Sequence, residues 1–216
     1  MRRRLSIAIC LAGALAAAAG AEIIDRIAVS VGNRVITETD IDREIRITAF
    51  LNNEKPDFNP ASKRKTAERM VDQTLVRNEL EASRYPPPSA AELAAAFQEE
   101  KARFGNDAAY RSALAAHGIS EDDLKARLAW QLTFLRFIDV RFRPGIQISD
   151  ADIRKYFDEH RAALEREHPG VTPSIDGYRS SIEQTLIGQA TDRQVDQWLN
   201  EARRRTHIQY HDEAFQ

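Results

Sequence analysis

The sequence predicts a mainly α-helical domain closed by a small β-sheet, in which an N-terminal hairpin meets a strand from the C-terminus. Three observations predict it. Capping patterns stand at Thr37, Ser89, Ser120 and Ser149, each with an acid three residues on, where side chains satisfy the free amides of a helix start. Prolines 60, 86, 87, 88, 144, 169 and 173 fall between the periodic segments, as expected of a ring that removes a donor and blocks the preceding turn. Strand-like alternation occurs only near the two ends of the chain.

Residues 1–21 read as a secretory signal rather than as part of the fold. Arg2, Arg3 and Arg4 precede the apolar stretch Leu5 to Ala19, and Ala19-Gly20-Ala21 forms a small-x-small cleavage site before Glu22. The stretch is 15 residues long, short of the roughly 20 that span a bilayer, so a cleaved signal is expected and a retained membrane anchor is not. Cys10, the only cysteine, lies within it, and Ile9 before it is too large for lipoprotein processing. The mature chain is therefore expected to fold without disulfides, thiol catalysis or thiolate metal sites. Of 31 basic residues the signal removes three, leaving 28 against 33 acids. A negative balance carries no electrostatic footprint for nucleic acid. The expectation is a single exported domain over residues 22–216.

The elements follow in order. Ile27, Val29 and Val31 alternate with Ala28 and Ser30, Gly32-Asn33 supplies the turn, and Arg34-Val35-Ile36-Thr37 returns. An isolated hairpin is marginal in water. The other strand-like run is His207-Ile208-Gln209-Tyr210, so the termini are expected to pair. Helices are expected to start at Thr37, Ser89, Ser120 and Ser149. A further helix runs from about Ser62 to Arg84 with Met70, Val71, Leu75 and Leu80 inward. Another spans Asp107 to His117 and stops at Gly118, a left-handed cap. The last covers Ile175 to Arg205, with Ile182, Leu186, Val195, Trp198, Leu199 and Ala202 on its buried side.

The helix from Glu121 to Phe142 is apolar on two sides. Leu124, Leu128, Leu132 and Leu135 form one stripe; Trp130, Phe134 and Phe137 form another. Both need cover, for which the short helices carrying Leu93, Phe97, Phe104, Tyr110 and Leu114 are available.

Ordinary chemistry accounts for most polar clusters. Glu38/Asp40/Asp42, Glu121/Asp122/Asp123 and Asp150/Asp152 sit at helix starts, where acids complement the dipole. Arg203-Arg204-Arg205 ends a helix, where cations are favoured, and Lys63-Arg64-Lys65 reads as a solvated first turn. His117, His160, His168, His207 and His211 are scattered, so no metal site is expected; nor does any nucleophile arrangement or phosphate loop stand out. The aromatic set Phe97, Phe104, Tyr110, Trp130, Phe134 and Phe137 has two readings. Singly, each is a core residue. Together they exceed what three short, alanine-rich helices can cover, and would then line a groove for extended peptide, Phe134 first among them.

The succession Ile24-Asp25-Arg26-Ile27-Ala28-Val29-Ser30-Val31-Gly32-Asn33-Arg34-Val35-Ile36-Thr37, Met70-Val71-Asp72-Gln73-Thr74-Leu75-Val76, Phe104-Gly105, His117-Gly118-Ile119-Ser120, Ile146 to Ile153, Tyr156-Phe157 and Val195 to Ile208 resembles the SurA-type periplasmic chaperones, relatives of the PrsA foldases. The resemblance covers nearly all of the mature chain. It implies a chaperone core whose N-terminal helices and C-terminal helix and strand form one module that holds unfolded outer-membrane proteins. In that family one or two parvulin-type prolyl isomerase domains are inserted before the closing helix. Here the interval is residues 167–177, far below the roughly 50 residues of the smallest ordinary domain. The expected protein is thus a non-enzymatic, cofactor-free, ATP-independent holdase of the periplasm, with unfolded polypeptides as partners. A scaffold binding one folded envelope partner and a degenerate prolyl isomerase are the alternatives, and a homodimer by helix exchange is compatible with the sequence.

Overall fold

The computed structural model describes residues 25–83, 85–167 and 174–216; the expected signal with its expected Ala21/Glu22 cleavage position, His168 and most of the 167–177 connector lie outside the described residues. Strands β1 (Ile27–Val31) and β2 (Arg34–Thr37) form the hairpin, and β3 (Ile208–Tyr210) adds to the other edge of β1 in the order β2-β1-β3, antiparallel throughout. Gly32 takes φ 59°, the left-handed conformation its turn requires, and its amide donates to the His207 carbonyl at 2.8 Å. The two ends of the chain therefore close one sheet.

One register detail departs from simple alternation. Between Ile27 and Val29 the pairing shifts, so that Ala28 is fully buried and Ile27 is 42% exposed. The bulge turns consecutive residues Ala28 and Val29 inward, while on the β3 side the Ala28 carbonyl accepts from the His211 amide at 2.9 Å and continues the ladder.

The described residues also form seven α-helices, α1 (Glu38–Asn52), α2 (Pro60–Ser83), α3 (Ala90–Ala102), α4 (Asp107–His117), α5 (Glu121–Arg141), α6 (Asp150–Glu167) and α7 (Ile175–Arg205), and two short 3-10 turns. The four sequence-marked starts are all reciprocal capping boxes, at Thr37/Asp40, Ser89/Glu92, Ser120/Asp123 and Ser149/Asp152. Helix α4 ends on Gly118 at φ 64°, as its sequence demands. Helix α2 begins two residues earlier than the periodicity suggests. Pro60 fits the first helical turn, where its missing N–H costs nothing, and the Asn59 side chain accepts from the Ser62 amide at 2.9 Å.

The Lys63-Arg64-Lys65 run is not simply a solvated surface. Lys63 is only 8% exposed, and its Nζ donates to Glu38 at 2.6 Å with Asp42 at 3.7 Å, so the Glu38 hydrogen bond raises its pKa. Arg64 pairs with Asp212 at 2.9 Å and lies 3.9 Å over the Tyr210 ring. This first turn ties α2 to α1 and to the C-terminal segment, which explains why two of its three cations are engaged.

Four apolar clusters organise the packing. The sheet, α1, α2 and the 3-10 turn Asp212–Phe215 enclose Ala28, Val29, Val31, Ile41, Val71 and Phe215. Phe50 centres the second cluster with Tyr110, Leu114, Leu124 and Leu128. Val76, Trp130, Phe137, Phe142 and Val195 form the third, between α2, α5 and α7. Ile153, Phe157 and Ile182 join α6 to α7 in a satellite pair.

Candidate functional site

Helix α5 carries the residues on which function was expected to turn, and each of its two apolar sides is part core and part open. Tyr110 and Phe137 are fully buried and Trp130 is 9% exposed; Phe97, Phe104 and Phe134 are half-buried against the same clusters. The six aromatics do not line one groove. Phe97, Phe104 and Tyr110 surround Phe50, with Phe104 stacked on it at 5.1 Å and Phe97 edge-on to Tyr110 at 6.2 Å. Phe137 meets Tyr85, Phe142 and Trp198 edge to face at 5.4 to 5.6 Å.

The physical reason lies in which neighbours reach which half of α5. Helices α3 and α4 cover Leu124 and Leu128, while α2 and α7 cover Trp130 and Phe137 with Val76, Val195, Trp198 and Leu199. At 1.5 Å per residue, α5 is about 31 Å long and α3 about 20 Å. The start of α3 reaches Arg136, but the α3 side chains beside the later leucines, Ala96 and Glu99 among them, do not fill the space over them. Leu132 is half-buried and Leu135 is 51% exposed.

A cleft of about 700 Å³ opens there, between α1, α3 and α5. Leu51, Ala96, Leu128, Leu132 and Leu135 supply its apolar lining; Thr48, Asn52, Glu99, Glu100, Gln131, Arg103 and Arg127 supply polar edges. Arg103 is fixed by donating to the Leu51 carbonyl at 3.0 Å and to Glu100 at 2.6 Å. At the far end of α3, Glu92 accepts from the Ser89 hydroxyl and amide and from Arg136, and these bonds hold its carboxyl down at about 2. The cleft walls are thus capped and pinned at both ends of α3, while the leucines between them stay open.

On the other side of α5, two smaller recesses meet at Trp130. One, about 280 Å³, is lined by Val76, Phe134 and Leu199 with Arg69, Asp72, Gln73 and Arg127 at its margin. The other, about 230 Å³, is bordered by Arg43, Glu44, Arg77, Asp123 and Arg127. Arg77 stacks on Trp130 at 4.2 Å. Arg127 borders all three spaces; its Nε lies 3.5 Å from Glu44 yet, though buried, makes no hydrogen bond. Tyr110 Oη is likewise buried without a hydrogen bond, and desolvation first, then Glu121 and Asp107, push its pKa up to about 12. That hydroxyl stays neutral and closed off within the Phe50 cluster.

Among the described residues no group of three or more His, Cys, Asp or Glu could hold a metal ion, and no helix is long and apolar enough to cross a membrane. Both ring nitrogens of His117 lie against backbone carbonyls, of Ala113 at 2.8 Å and Glu54 at 3.0 Å. His211 lies 3.3 Å from the Ser30 hydroxyl, a contact that fastens β3. The chain matches no family model and no curated protein.

Leu51, Leu132 and Leu135 were not singled out by sequence as site residues, nor were Arg77 and Arg127. Part of the signal was present: the run Ala94-Ala95-Ala96 in the neighbouring helix has no large side chain to set against the leucine stripe.

Proposed function

We propose that this protein is an ATP-independent holdase of the bacterial periplasm, a SurA-type chaperone core without an isomerase domain, whose clients are unfolded outer-membrane or other exported polypeptides. The observation that supports this reading is the open cleft of about 700 Å³ with exposed Leu135 between polar walls. A concave apolar strip of this kind suits an extended segment with alternating apolar side chains, and its polar margins keep the occupied protein soluble. Release then follows from competition by the client's own folded contacts, with no nucleotide step.

The direct pairing of α6 with α7 through Ile153, Phe157 and Ile182 fits a chain in which the interval between those helices holds no catalytic domain. Localisation rests on the predicted signal alone. The experiment is light scattering with several unrelated unfolded clients. Suppression of all of them, unaffected by ATP and weakened by Leu132→Ser with Leu135→Ser at unchanged melting temperature, supports the holdase. Binding confined to one folded envelope protein favours the scaffold reading, and catalytic acceleration of proline-limited refolding favours the isomerase.

A further inference from the structure

Helix α2 presents Arg69, Gln73 and Arg77 at successive i, i+4 positions, and all three border the recesses around Trp130. Of the three arginines bordering the smaller recess, Arg43 faces Asp40 and Asp123 and Arg127 faces Glu44. Arg77 has no carboxylate within ion-pair reach among the described residues; its contact is the indole of Trp130. Partial burial first and then Arg34 push its pKa down, while Glu44 and Glu81, too far for an ion pair, act the other way. A carboxylate entering here would meet one stacked guanidinium with no acid in ion-pair contact and a second whose buried Nε–H makes no hydrogen bond.

The apolar and the arginine-bordered recess share Gln73, Arg127 and Trp130. A ligand filling both must carry its carboxylate and its apolar group within about one side chain's breadth. In a polypeptide the last residue does so, because its α-carboxylate and side chain leave the same carbon; an internal acid has its carboxylate at the end of its own side chain.

We propose that this face of α5 captures the free C-terminal end of an extended polypeptide, with the terminal carboxylate between Arg77 and Arg127 and the last, apolar side chain in the recess of Val76, Phe134 and Leu199. The inference rests on the polypeptide-binding reading above and adds a chain-end preference to it.

The test is fluorescence anisotropy with three N-terminally labelled ten-residue peptides and the full mature protein. One peptide ends in Phe with a free carboxylate, the second is its C-terminal amide, and the third is that amide with a penultimate Glu. The free acid should bind about tenfold more tightly than the amide, with the Glu peptide close to the amide. Arg77→Gln should erase the difference between acid and amide, whereas Arg77→Lys, which keeps the charge, should retain part of it. Equal binding of acid and amide overturns the chain-end site but leaves the holdase standing. A Glu peptide that matches the free acid overturns the terminal assignment, and no binding by any of the three overturns both readings.

Discussion

Truncating Phe137 to Ala tests the contrast between a core aromatic on one side of α5 and the open end of the leucine stripe at Leu135 on the other. The ring is fully buried and meets Tyr85, Phe142 and Trp198 edge to face. Loss of a buried Phe with incomplete collapse of the cavity costs roughly 3 to 5 kcal/mol, and three lost ring pairs place this site toward the upper part of that span. For a domain of this size each kcal/mol lowers the melting temperature by about 2 to 4 °C, so a fall on the order of 10 °C is expected. Leu135, two residues away, is 51% exposed; Leu135→Ala gives up about 1 kcal/mol or less of burial, part of it recovered by the helix preference of Ala. Urea unfolding followed by far-UV circular dichroism measures both variants. A Phe137→Ala loss below about 1.5 kcal/mol, or a Leu135→Ala loss of the same size as that of Phe137→Ala, refutes the placement of these two sides.

Deleting residues 207–216 removes β3 and the buried Ala214 and Phe215, a loss on the order of 5 kcal/mol that rivals the stability of a whole domain; an unchanged melting curve would contradict the three-stranded sheet. The Glu92 carboxyl should titrate near 2 by NMR, and Ser89→Ala should raise that midpoint toward 4.5. Because the folded value is depressed, the stabilisation is fully present above about pH 4.5 and fades as pH falls toward 2, so wild type and Ser89→Ala should differ most above that window and converge below it. Arg203 grips Asp72 with two bonds at 2.7 Å, fastening α7 to α2, and both side chains are partly exposed; a double-mutant cycle should give a coupling of about 1 kcal/mol, and zero coupling would make the pair incidental.

Local chemistry was legible in the sequence. Thr37, Ser89, Ser120 and Ser149 marked helix starts, Gly118 marked a stop and Gly32 a turn, because each acts through bonds or dihedrals within a few residues of itself. The pairing of the two ends was legible by elimination, since a hairpin needs a third strand and the described chain offers one at Ile208–Tyr210. Even the two-sided character of α5 could be read from the spacing of its leucines and aromatics.

Tertiary structure decided what covers each side. Periodicity shows that Trp130, Phe134 and Phe137 share one side, but it carries no information on whether α3 and α4 or α2 and α7 approach it. That outcome depends on helix lengths and packing directions summed over the whole chain. For the same reason Lys63 was misread: its sequence neighbours are charged, and its partners Glu38 and Asp42 arrive from another helix. The sequence alone determined where elements begin, end and turn, because those interactions are local. The candidate site depends on which side chains of α1 and α3 face the leucines of α5, and the seat of Arg77 on Trp130 joins separate helices, so both exist only once the helices are packed.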